Sequence, residues 1–308
     1  MNNFTIVFQN VFMMLLYLLC GYCLVKVRKG EASHAKSFSS FLIYVCGPCM
    51  IISAFQTMQY SVELTAAIVK FFFASLLAQA LFMLAVYVLL HRNYEDARYR
   101  ILTIGAVFGN VGFFGLPLVT ALFPENPEVA CYSSVYVMSM NLLVFTIGVY
   151  MITKKKEYIS IKSALLNPTS IAMYLSLPMY FLGIRLPENF GDSVALLGKM
   201  TTPICMLVLG MRLAASDLRK VFCRPFAYVV CVLKLVAFPV FSYLCVRMVP
   251  FFDSTFCGCM LALSGAPSAA VILSMAEIHE CEQELSANVV LLTTIFSVIT
   301  APLLLLIV

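Results

Sequence analysis

The sequence predicts an all-α polytopic membrane protein of ten transmembrane helices, arranged as two inverted five-helix repeats with broken crossover helices 4 and 9. Three observations carry this. Of 308 residues, 62% are apolar and only 11% charged, well under the roughly 25% charged share of a domain that faces water on all sides. The apolar residues gather into ten runs separated by short connections. The basic residues fall mostly in alternate connections. The first observation excludes a soluble class, the second counts the spans, and the third orients them.

A span needs roughly 20 mostly apolar residues to cross about 30 Å of hydrocarbon. The runs lie at 6–27, 38–58, 65–90, 101–122, 130–152, 168–185, 194–213, 226–250, 256–275 and 286–307. The first is followed, not preceded, by its charges (Lys26, Arg28, Lys29). It lacks the basic leader and small-residue cleavage site of a signal peptide, so a retained span with its N-terminus outside is expected. The 1–2 connection carries Lys26, Arg28, Lys29 and Lys36, and the 3–4 connection Arg92, Arg98 and Arg100. The 5–6 connection carries Lys154, Lys155, Lys156 and Lys162, and the 7–8 connection Arg212, Arg219, Lys220 and Arg224. That is fifteen of the twenty Lys and Arg, against Arg185 and Arg247 in the opposite connections. Positive residues stay cytoplasmic, which places both termini outside an expected plasma (inner) membrane. The net charge of +5 is spread over these connections rather than along one stripe, which argues against a nucleic-acid partner. The 9–10 connection, Glu277 to Glu284, is acidic and has no Lys or Arg, the one departure from the pattern.

Division near Lys156 gives repeats 1–156 and 157–308, each of five spans. An odd number per repeat inverts the second relative to the first, the plan of many secondary transporters, whose sites lie at the midplane on interrupted helices. The halves echo one another. Pro48-Cys-Met50 in span 2 matches Pro203-Ile-Cys-Met206 in span 7. Gly109-Asn-Val-Gly-Phe-Phe-Gly-Leu-Pro117 in span 4 stands opposite Ser264-Gly-Ala-Pro-Ser268 in span 9. Proline removes a donor and clashes with the preceding turn, while glycine tolerates unusual backbone angles. Backbone freed this way must line a cavity or pack on protein. The half-helix that restarts after each break offers unpaired N–H groups and a positive dipole end, both suited to an anion. Asn110, Pro117, Gly265, Pro267 and Ser268 are therefore candidate binding residues. The alternative is a pair of structural kinks.

The ordered set of motifs resembles the auxin efflux carriers, meaning the plant PIN-formed proteins and their shorter bacterial relatives. Asn110-Val-Gly-Phe-Phe-Gly-Leu-Pro117 resembles the pattern of the family's fourth helix, and Asn141-Leu-Leu-Val-Phe145 that of its fifth. Asn167-Pro168, Leu209-Gly210-Met211, and Ala266-Pro267 followed by Ala276-Glu277 resemble helices six, seven and nine. The resemblance implies substrate bound where helices 4 and 9 cross, with contacts from Asn110 and Asn141. It also implies a scaffold of spans 1, 2, 6 and 7, a moving bundle of spans 3–5 and 8–10, elevator-like motion and a homodimer. The chain departs from the family's pattern at the 5–6 connection, which is short. On span 3, where the family has an acidic residue and a Lys, the polar residues here are Ser75 and Gln79.

Three Lys lie inside spans. Lys70 and Lys199 sit near the outer ends, within reach of the interface by snorkelling. Lys234 lies roughly ten residues into span 8, about 15 Å at 1.5 Å per residue, too deep to snorkel. It is expected to face the bundle interior, either as an anion ligand or as a cap on carbonyls freed by Pro239. No His or Asp lies deep in a span, which excludes intramembrane proteases of the Ser/His and paired-Asp kinds. Cys46-Gly-Pro-Cys49 spells a thioredoxin-type site, but it interrupts a span instead of following a strand; most of the twelve Cys read as small apolar residues. The expected function is a secondary carrier exporting or exchanging small organic anions, such as carboxylates or auxin-like acids. No resident cofactor is expected, and coupling to H+ or Na+ is left open. An anion channel or a transporter-like receptor are the alternatives.

Overall fold

The computed structural model describes residues 3–216, 222–304 and 306, and these are helical apart from connections and one isolated antiparallel bridge. Arg219 and Lys220 lie outside the described residues. The helices are α1 Asn3–Lys26, α2 Ala35–Gln56, α3 Val62–Leu90, α4 Ala97–Val107, α5 Val111–Leu122 and α6 Val129–Thr153. They continue with α7 Pro168–Leu182, α8 Glu188–Ala215, α9 Pro225–Arg247, α10 Ser254–Ser264, α11 Ala270–Ile278 and α12 Gln283–Leu304. Among the described residues, seven are long and apolar enough to cross a membrane: α1, α2, α3, α6, α8, α9 and α12. The other three apolar runs of the sequence take different forms. The runs at 101–122 and 256–275 each divide in two, as α4/α5 and α10/α11, and the run at 168–185 forms the fifteen-residue α7.

Local sequence fixes several helix starts. Ser61 accepts from Leu64 N–H at α3, and Asp253 from Phe256 N–H at α10. Asn167 accepts from Ser170 N–H at 2.9 Å, with Pro168 in the first turn of α7. Such caps satisfy amides that have no partner inside the helix, and proline at that position loses nothing. Gly183, at φ +65°, closes α7 in the left-handed conformation, which costs glycine little.

Three prolines are absorbed by widened turns rather than by breaks. Gly47, Leu116 and Phe238 each precede a proline and each donate to the carbonyl five residues back (Leu42, Val111 and Leu233). The wider π-turn keeps a hydrogen bond where the proline ring would collide with a regular one. Pro117 is therefore not part of a break, as the sequence suggested. It lies within α5, and the break is at 108–110.

A close helix crossing joins α1 and α8. A Cβ on Gly21 would stand 2.0 Å from Leu207 O, and one on Gly210 1.9 Å from Leu18 O. Small residues let backbones approach this closely, and in lipid close packing is what holds helices together.

The connections gather at two ends. At one, Lys154 bonds Glu95 and holds its carboxyl below the usual carboxylate range, and Tyr158 meets His279 at 4.9 Å. There too Arg212 lies 3.8 Å from Glu277 and Arg224 3.0 Å from Glu284. The acidic 9–10 connection is thus matched by the basic 7–8 connection. At the other end Gln56 bonds Ile184 O and Leu186 N–H, Arg185 donates to Met58 O, and Lys70 lies over Phe251. The core between the ends includes the two breaks, where Ile104, Phe108, Phe114, Leu261, Leu263 and Ile272 are buried.

Candidate functional site at the crossing of two broken helices

The two breaks meet and pair. Asn110 N–H donates to Pro267 O at 2.7 Å, Ala269 N–H donates to Phe108 O at 2.9 Å, and Gly109 bridges Ser268 antiparallel. Ser268 N–H donates to Thr293 Oγ1 at 3.0 Å, and Ser268 Oγ to Gly105 O at 2.8 Å. Part of the backbone released from the two helices is thereby satisfied by protein, as the absence of water in hydrocarbon demands.

Lys234 completes the arrangement. It sits in the π-turn of α9 at 0% exposure. Its Nζ donates to Ser264 O at 2.7 Å and Val107 O at 3.2 Å, and lies 4.7 Å from the Phe238 ring centroid. Val107 and Ser264 are the last residues of α4 and α10. One Nζ therefore serves two helix C-termini, where the dipoles present partial negative charge. The sequence suggested that any capped carbonyls would be those freed by Pro239. They come instead from the breaks, because the π-turn already accommodates Pro239. Gly109 makes room: a Cβ there would stand 2.9 Å from Nζ.

The opposite poles also converge. α5 and α11 begin at the crossing, and the first-turn amides of Gly112, Phe113, Ala270 and Val271 have no main-chain acceptor among the described residues. Asn110, 7% exposed, points Nδ2 at Cys205 Sγ of α8 at 3.5 Å, a weak acceptor. Beside it, Thr202 Oγ1 donates to Phe113 O at 3.0 Å.

The predicted residues separate into groups. Asn110, Lys234, Pro267 and Ser268 come together at the crossing. Gly265 follows α10 and packs tightly, with Leu304 2.9 Å from where its Cβ would be. Pro117 lines a cavity of about 730 Å³ with Met50, Leu116, Thr120, Lys199 and Thr202. This cavity runs from Thr57 and the 123–127 connection down to Thr202. Asn141 donates to Thr169 Oγ1 of α7 at 3.0 Å, and Thr169 in turn bonds the cap residue Asn167. Sequence reading missed Thr202, Cys205 and Thr293, since a lone small polar residue in an apolar run carries no signal of its own. Ser75 and Gln79 both bond Ser139, at 2.8 and 3.0 Å, a neutral network within the core.

An apolar, all-helical chain that folds two interrupted helices against each other has the construction of a membrane transport protein. This chain belongs to the membrane transport protein family, that of the auxin efflux carriers, whose family model matches residues 6–305. It is similar to an uncharacterized transporter of Methanocaldococcus jannaschii, 22% identical over 300 residues that cover 94% of each chain. The protein is integral to a membrane, in a family of transporters rather than of enzymes.

Proposed function

We propose that this protein is a secondary carrier of small organic anions, carboxylates foremost, that binds its substrate beside the crossing and works by elevator-type alternating access. The observation that carries this reading is the division of poles at the breaks. Lys234 occupies the two C-terminal ends, leaving two N-terminal ends with unbonded amides beside Asn110. Such ends favour an anion. The 730 Å³ cavity, lined by Leu116, Pro117, Lys199 and Thr202, gives a carboxylate an approach toward the α5 pole, where Thr202 bonds Phe113 O.

The architecture assigned is ten spans in two inverted repeats, with α4/α5 and α10/α11 as the broken fourth and ninth. α1, α2, α7 and α8 form a fixed scaffold through which two copies associate, and the other helices move. The cavity ends at the connections opposite the basic ones, which supports an outward-open reading of this conformation.

Counterflow of labelled mono- and dicarboxylates in proteoliposomes tests this reading. Saturable exchange that falls at least tenfold in Asn110→Ala is expected. Unchanged flux in both Asn110→Ala and Lys234→Ala, with normal insertion, removes the site assignment. Large single-channel currents remove the carrier.

A further inference from the structure

We propose that the groove between α3 and α6, at the end where the basic connections gather, binds an anionic glycerophospholipid. The groove encloses about 580 Å³, within the range of about 300–1,000 Å³ typical of ligand pockets. Its walls are two facing stripes at helical spacing. Leu84 and Tyr87 belong to α3, and Ile147, Tyr150 and Met151 to α6. Leu84 is 55% exposed and Tyr150 40%, so the groove opens sideways, where a membrane protein meets acyl chains.

The closed end is polar and carries net positive charge. Arg100, Lys154 and His91 line it, against the single carboxylate of Glu95. Arg100 is only 8% exposed. Its Nη1 donates to the carbonyls of Tyr94 and Glu95 at 2.8 and 2.7 Å, which fixes the guanidinium in place. Its Nε is buried away from the groove, and Cys281 bonds the guanidinium. Lys154 spends one of its three donors on Glu95 and keeps two for another acceptor. A phosphodiester matches the net positive charge and the spare donors of Lys154: it brings one negative charge and several acceptor oxygens, attached to chains that match the apolar walls. Basic pockets between membrane helices near the cytoplasmic surface take such headgroups. None of these residues belongs to the crossing, so the lipid would act on a face of the bundle remote from the substrate.

Native mass spectrometry of the full chain in detergent tests the proposal. Phosphatidylglycerol and phosphatidylcholine of identical acyl composition are added in turn. The parent protein should retain phosphatidylglycerol about fivefold over phosphatidylcholine, from a contribution of order one basic residue. Lys154→Ala should abolish that preference. Leu84→Trp, which fills the apolar wall from an exposed position, should lower retention of both lipids. Inorganic phosphate in excess should not displace the lipid. Equal retention of the two lipids by the parent overturns the site, as does displacement by phosphate. Unchanged retention in both variants, each checked for an unaltered melting temperature, also overturns it. The readout is lipid mass, so it stands or falls independently of carrier activity.

Discussion

A lysine with no exposed surface is stable only where its donors are used, and Lys234 uses them on the carbonyls of Val107 and Ser264. Lys234→Met keeps length and apolar bulk but strands Val107 O and Ser264 O. Each buried carbonyl left without a partner costs about 1–3 kcal/mol, so a loss of about 2–6 kcal/mol is expected for the two. Thermal unfolding in detergent reads it, and a variant as stable as the parent would show that the two bonds contribute nothing. Lys234→Arg should also lose stability, because the larger guanidinium must fit where a Cβ on Gly109 would stand 2.9 Å from Nζ. Lys199 plays a different part. It lies on the cavity wall, exposed, so Lys199→Ala should leave the melting temperature unchanged and raise the KM for an anion. A rise of about threefold to tenfold at low salt, shrinking as salt is added, fits attraction by a screened charge. A KM that does not respond to the substitution would place the anion's route elsewhere.

At the level of helices, what the sequence could disclose depends on whether the signal is local. Asn167-Pro168 reads as a helix start because both residues act within one turn, and the structure has that cap. The breaks were legible in outline from Gly109-Asn110 and Gly265-Ala-Pro267, yet Pro117 was drawn into the first break. A proline in a string of letters does not show whether the turn before it opens or widens, and at Pro48, Pro117 and Pro239 it widens. The bonds of Lys234 reach 127 and 30 residues along the chain, beyond any periodicity, so its depth was legible and its partners were not. The α1–α8 crossing was equally hidden, since Gly210 was read as part of a motif and not as a contact. Gly210→Leu would drive a Cβ to 1.9 Å from Leu18 O, a backbone atom that cannot step aside. Overpacking typically costs about 1–3 kcal/mol, and this case belongs at or above the upper end. Melting of the purified variant measures it, and a tolerated leucine would mean that the two helices part easily.

For the molecule as a whole, the open question of architecture turns on α7. Its fifteen residues span about 22 Å at 1.5 Å per residue, short of the roughly 30 Å of a hydrocarbon core. If only the seven long helices crossed, positions 157 and 189 would lie on the same side, because α7 is the main helix between them. If α7 also crosses, they lie on opposite sides. The contacts favour the second arrangement. Tyr158 meets His279 beside the Arg212–Glu277 pair at one end, whereas Arg185, just past α7, donates to Met58 O at the other. The experiment starts from a background in which the exposed Cys20, Cys23 and Cys223 are replaced. Glu157→Cys and Asn189→Cys, both exposed positions, are then made separately and labelled with a membrane-impermeant maleimide in right-side-out vesicles. Asn189→Cys should label at once and Glu157→Cys only after permeabilisation. Glu280→Cys should behave as Glu157→Cys does, because the acidic connection is held among the basic ones by the Glu277 and Glu284 pairs. Simultaneous labelling of positions 157 and 189 from outside would remove α7 from the membrane. The second repeat would then have four spans, and the inversion that brings two N-terminal poles to one crossing would go with it.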